Sequence, residues 1–313
     1  MEEKQINKYL RRQFAPLGWT LVVYYLMMNV LVIGVMVADS VYQKIVYGQV
    51  DEAALSGNAW GYTLTVALGY LILRLWKKKA FWRDQVWAKG SPMSVETLLF
   101  LICLGLGIQF TNSILVTIME SILNKVGLSL LQTIESASGQ SDSFSMFLYA
   151  SFLAPISEEL LFRGFIQRTL MPYGKKFAIL GSAFLFGLFH GNLVQIPYAF
   201  LTGLLWGYVA AEYSVAWTMV LHMFNNLVLA DMMDRLTRGL PENLSLTMNA
   251  MLILTGFVAS IVVLVSKRKK IGWYLRQERL DRRCVKWFFC NAGMIVLIAL
   301  MVLNTVSSLF LMQ

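Results

Sequence analysis

Charge is scarce in this sequence: Asp, Glu, Lys and Arg make up 14% of its 313 residues. Soluble domains carry about a quarter, so a soluble globular protein is excluded; too little charge is present to cover its surface. Hydrophobic residues make up 57%, and the mean hydropathy is +0.59. Cysteine is scarce too, at three residues with no CxxC pair, which excludes a disulfide framework. Cys103 and Cys290 fall in apolar stretches and Cys284 in a basic loop, where each is expected to serve as a small buried side chain. Histidine is scarcer still, with His190 and His222 alone. There is no HExxH and no convincing Ser-His-Asp set, which argues against zincin and serine-protease chemistry. No internal repeat or separate soluble domain is visible.

What is abundant is apolar sequence in blocks of about 18 to 25 residues, the length that crosses hydrocarbon as a helix. Nine blocks are read, at 17–38, 59–76, 95–119, 146–166, 177–194, 196–212, 214–231, 246–266 and 287–311. The fold class that follows is all-α: a polytopic membrane bundle of about 8–9 helices, forming one integral domain over 1–313. The three blocks between 177 and 231 nearly touch, so one of them could be broken or re-entrant. The first block follows a basic start, as a signal peptide does, but its length and lack of a small-residue cleavage site favour an anchor.

The net charge of +9 raises the question of nucleic acid, and its distribution answers against it. Lysine and arginine concentrate at 4–12, 77–89, 168–176 and 267–286, all on one side of the predicted bundle. Only Lys44, Lys125, Arg235 and Arg238 fall in the other loops. The positive-inside rule then places the N-terminus in the cytoplasm and the C-terminus outside, in a cell membrane. The basic clusters are topology determinants that touch anionic lipid, with no nucleic-acid partner. In the outer loop 120–145, Leu123, Val126, Leu130, Leu131 and Ile134 recur every three or four residues, predicting an amphipathic surface helix. The Ser-rich run 136–143 predicts a turn.

Both histidines lie inside apolar blocks, and a third block carries Glu158, Glu159 and Arg163. Ionisable groups in spanning segments are costly and are a functional-site hypothesis by default. On a helix Glu159 and Arg163 share a face and can neutralise one another. Glu158 is rotated about 100° away and has no partner on its own helix. Pro155 supplies no N–H, so bending beside the carboxylates is expected. Phe186 and His190 share a face, as do His222 and Asn226. Gly187 and Gly191 offer small surfaces, and Gly203 and Gly207 suit tight helix packing. Blander readings exist for each residue alone: an intramembrane histidine can hydrogen-bond a neighbouring helix, Glu159–Arg163 can be a structural pair, and Asn226 can be helix glue. The joint occurrence over 158–226 points further, to a catalytic core at 146–232.

Such a set can activate water. A carboxylate takes a proton, and a histidine orients the water or returns the proton to a leaving amine, a contribution of about 10²–10⁴-fold. A second histidine with an asparagine can support an oxyanion. Glu158, His190 and His222 could instead hold a zinc ion with an open position; no cofactor is favoured, and zinc ranks second because Asn226 is a poor fourth ligand.

The ordered pattern Glu158-Glu159-x-x-x-Arg163, Phe186-x-x-x-His190 and His222-x-x-x-Asn226, with Ala199-Phe200-Leu201-Thr202-Gly203 between, resembles the CPBP family of membrane proteases, related to the type II CaaX prenyl endopeptidase. The resemblance implies an intramembrane endopeptidase whose site opens towards the cytoplasm. It implies that Glu158 and His190 activate water, that His222 and Asn226 support the oxyanion, and that Glu159 and Arg163 assist. The partner it implies is a peptide or lipid-anchored protein in the bilayer; CaaX cleavage itself does not follow, since many bacterial relatives serve peptide maturation or bacteriocin self-immunity. Two other readings stand beside it. A non-catalytic membrane scaffold or immunity factor could keep the cluster for packing. A proton-coupled transporter fits intramembrane Glu and His but lacks repeated halves.

Overall fold

The computed structural model describes residues 3–51, 55, 57–138, 143–232, 236–237, 239–277 and 279–311. Residues 139–142 of the expected turn, together with Arg235 and Arg238, lie outside them. All regular structure among the described residues is helical. In chain order, α1 is Glu3–Tyr47, α2 Trp60–Trp76, α3 Val95–Leu123 and α4 Leu131–Ser138. A composite helix, α5 (144–170), follows. After it come α6 Lys175–Phe189, α7 Gln195–Glu212 and α8 Val215–Phe224. The chain ends with α9 Glu242–Arg276, α10 Arg282–Phe289 and α11 Ala292–Leu311.

Four of these, α1, α3, α9 and α11, are long and apolar enough to cross a membrane. Only 17% of the apolar window in the first three, and 28% in α11, is buried inside the protein. Their outward faces carry Val30, Ile118, Val262 and Leu303, all exposed. A soluble monomer does not display so much contiguous apolar surface; hydrocarbon is the solvent that suits it. The remaining expected spans are helices as well, but shorter or broken. Of the described helices, α3 and α9 pack as a peripheral pair, with Phe110 stacked on Phe257 at 4.3 Å.

The irregularity is concentrated in α5. Regular turns at Phe144–Leu148, Ala154–Glu159 and Arg168–Leu170 alternate with wide, π-helical turns at Tyr149–Leu153 and Leu160–Gln167. Pro155, at the start of the middle piece, lacks the N–H that would continue the preceding ladder. The bend expected beside the carboxylates is therefore present, as a wide turn on either side of them. Such bulges recur at functional sites because they re-aim side chains. Packing of α6 on α7 is close: a Cβ at Gly203 would lie 3.1 Å from the Ala183 backbone, and one at Gly207 would lie 2.9 Å from Ile179. The small-residue face read from the sequence is thus used.

Three expectations require correction. The block 177–194 ends as a helix at Phe189, because Gly191 takes φ +64° and accepts the left-handed turn that L side chains resist. The block 287–311 is split, with α10 ending at Phe289 and α11 starting at Ala292. Cys290 falls in the break and is exposed, whereas Cys284 is buried under the amphipathic α10. Finally, no single amphipathic helix spans 123–134. Glu120 accepts hydrogen bonds from Leu130 N–H (2.6 Å) and Ser129 Oγ–H (2.8 Å), and Gly127 at φ +76° turns the chain back.

Candidate active site

The two adjacent carboxylates have different surroundings. Glu159 is sealed, with its side chain 0% exposed, while Glu158 is 33% exposed. Glu159 bridges two helices: Oε2 lies 3.2 Å from Arg163 Nε on its own helix, and Oε1 accepts from His222 Nδ1–H on α8 at 2.9 Å. The expected Glu159–Arg163 pair forms, and it gains a histidine that the sequence did not assign to it. Glu158 has no partner on α5 and faces the other side of the same ring, 3.9 Å from His222 Nε2. That separation is an ionic contact, longer than a hydrogen bond.

Aromatic rings fix the imidazoles. His222 stacks on Trp206 of α7 at 4.2 Å, with the planes 29° apart. Phe186 stands edge-on to both histidines, 4.9 Å from His190 and 5.9 Å from His222. One phenyl ring therefore touches both imidazoles. The Arg163 guanidinium, fully buried, rests over Phe186 at 4.2 Å. No hydrogen-bond acceptor among the described residues reaches its terminal nitrogens, so the ring face and Glu159 hold the charge.

His190 caps the end of α6 rather than sitting within it. Its Nδ1 lies 2.8 Å from the Phe186 carbonyl oxygen. A carbonyl only accepts, so Nδ1 carries the proton and, in the neutral ring, Nε2 keeps a free lone pair. The loop beyond is pinned by Asn192, which donates to the His190 carbonyl (3.0 Å) and to Gln195 Oε1 (2.6 Å) and accepts from Gln195 N–H (2.9 Å). Asn226 lies on the wide turn Asn225–Met232 that continues α8. Its amide donates to the Ala150 carbonyl (3.0 Å), and its oxygen accepts from Asn225 Nδ2 (3.1 Å). One amide N–H of Asn226 is thus spent on α5.

Residues 140–228 match the family model described as type II CAAX prenyl endopeptidase Rce1-like. The matched segment carries Glu158, Glu159, Arg163, His190, His222 and Asn226, and it holds the buried ion pair Glu159–Arg163 together with the buried His222. It covers under a third of the chain and leaves out α1, α3, α9 and α11. Neither curated proteins nor solved structures offer a significant match to the chain.

Several residues around these side chains were not legible in the sequence. Tyr24 of α1 and Tyr149 of α5 both stand near Glu158. Tyr24 stands in a Tyr-Tyr pair that reads as membrane-interface aromatics, and nothing in its spacing ties it to a residue so distant in the chain. Trp206 carries a weak signal, lying between the packing glycines Gly203 and Gly207. Asn225, whose Oδ1 accepts from Tyr198 Oη–H at 2.6 Å, was hidden beside Asn226. As for zinc, no group of three His, Cys, Asp or Glu side chains placed to hold a metal ion, Glu158, His190 and His222 included, occurs among the described residues.

Proposed function

We infer that the chain is an intramembrane endopeptidase that hydrolyses a peptide bond in a membrane-associated peptide or lipid-anchored protein. The observation that carries this reading is the contrast between the carboxylates: Glu159 is buried and doubly paired, while its neighbour Glu158 is open and faces the His222 ring. An accessible carboxylate without a hydrogen-bonded counter-ion is a base for water. In this reading Glu158 takes the proton as water attacks the scissile carbonyl. His190, with Nε2 free, helps orient that water, and the proton taken up by Glu158 passes through Nε2 to the leaving amine. His222, when it carries a second proton, presents Nε2–H to the developing oxyanion, and Asn226 adds its remaining amide hydrogen. Glu159 and Arg163 act through His222 by holding its ring.

The same reading places all nine apolar blocks in or across the cell membrane as one domain, with 146–232 as the catalytic core. The basic loops and the N-terminus are then cytoplasmic. The test compares membrane peptides by mass spectrometry from cells carrying wild-type or Glu158→Gln protein. A product that disappears with the variant, at unchanged protein level, supports hydrolysis. Identical peptide patterns, together with lost stability, would instead make the cluster a packing device of a non-catalytic membrane scaffold or immunity protein.

A further inference from the structure

A second polar site lies at the opposite end of α1, about 40 Å from the basic residues that precede Phe14. There an open cleft of about 590 Å³ is lined by the last turns of α1, the turn after it, the start of α2 and Ser145 of α5. Its volume falls within the range of about 300–1,000 Å³ seen for small-molecule sites, and it is too roomy for a bare ion.

The walls are stitched by side chains. Gln43, itself buried, accepts from Asp51 N–H at 2.8 Å and folds the turn back onto α1. Asn58 Nδ2 donates to Asp39 Oδ2 at 3.0 Å, tying α2 to α1. Ser145 Oγ accepts from Ala59 N–H at 3.4 Å, and Ser143 Oγ–H donates to the Gly57 carbonyl, tying in α5. Such cross-bracing holds a binding surface in place before a ligand arrives.

The lining has a definite chemistry. Asp39 keeps one carboxylate oxygen beyond its bond to Asn58, Asp51 stands in the same lining, and no lysine or arginine is among the described residues that line the cleft. Tyr42 and Tyr47 stand edge to face at 6.2 Å. Trp60 joins them with 71% of its surface exposed. A negative charge ringed by electron-rich aromatic faces selects a cation that is itself partly apolar. We propose that this cleft binds an organic ammonium cation, with Asp39 supplying the charge and Tyr42, Tyr47 and Trp60 the ring faces. The site is independent of the hydrolase reading. Ser145 nonetheless opens the composite helix that carries Glu158, so an occupant touches the element that positions that carboxylate.

The test uses full-length protein in nanodiscs, with choline as probe and its uncharged isostere 3,3-dimethylbutanol as control, read by calorimetry. Choline binds and the isostere does not. Asp39→Asn keeps the acceptor for Asn58 and weakens binding by about tenfold; Trp60→Leu, at an exposed ring, weakens it by about fivefold. Nanodiscs of phosphatidylglycerol and of phosphatidylcholine separate the sources. A soluble ligand gives the same choline affinity in both, whereas a lipid headgroup lowers it in the second. Equal binding of the isostere, calcium binding without choline binding, or wild-type affinity in a folded Trp60→Leu protein overturns the proposal.

Discussion

The α3–α9 pair and the α5–α8 core are built from the same apolar residues but differ in regularity. α3 and α9 are long, uninterrupted helices whose apolar side chains face outwards. α5 is broken twice by wide turns, α6 stops at a glycine, and α8 opens into a third wide turn. Each of the three wide turns sits within a turn or so of a buried polar side chain. A bilayer tolerates broken backbone only where protein or a wet cavity covers it, so the irregular helices are the inner ones. The comparison teaches that function here is bought with lost helical regularity, and that the outer pair forgoes both.

The largest effect expected from this contrast is at Glu158. Glu158→Gln preserves shape and removes the base, so cleavage should fall by about 10²–10⁴-fold while thermal stability stays near wild type. Glu159→Gln should behave in reverse, losing stability first, since the buried Arg163 then lacks its counter-ion. Arg163→Leu sharpens the point. It leaves Glu159 buried with His222 alone, a broken buried pair of the kind that costs about 3–5 kcal/mol. Melting of the purified proteins in detergent checks both, and a stable Arg163→Leu protein would show that the cluster is wetter than its burial implies.

A smaller effect is expected one step out. Asn192→Ala keeps His190 but frees the loop that aims it, so kcat should drop by about tenfold with KM little changed. Asn192→Asp retains the acceptor for Gln195 N–H and should recover part of the loss. Equal losses in kcat and stability for both variants would reduce Asn192 to a loop brace.

The Glu159–Arg163 pair was legible because a spacing of four on one helix fixes a common face, and the two side chains meet in the structure. What spacing cannot supply is the rotational phase of one helix against another. That is why the contact from His222 to Glu159, and the position of Glu158 across the same ring, emerge only in three dimensions. Helix ends were blurred for a related reason. Gly191 reads as a packing glycine in an apolar run, and only its backbone angle shows that it ends α6 and makes His190 a cap. Tyr24 was invisible since α1 carries no pattern linked to the motif. The break at Cys290 is marked in the sequence by Asn291 alone, whose Oδ1 accepts from Met294 N–H at 2.9 Å and caps α11, a signal too short for a hydropathy window to register.

The smallest effect separates the two regions most cleanly. Phe165 in α5 is fully buried and Val262 in α9 is 62% exposed. Truncating Phe165 to Ala removes contacts on every side and leaves a cavity, which costs about 3–5 kcal/mol. Truncating Val262 to Ala in a soluble protein would gain or lose little because water already covers it. In a bilayer the result is similar for another reason: lipid tails are as apolar as the side chain removed, so no hydrophobic drive holds it in place. The shift for Val262→Ala should stay within about 0.5 kcal/mol, measured by unfolding in lipid nanodiscs. A cost near that of Phe165→Ala would mean that this face of α9 is covered by protein, and the outer pair would then have to be redrawn as an interface.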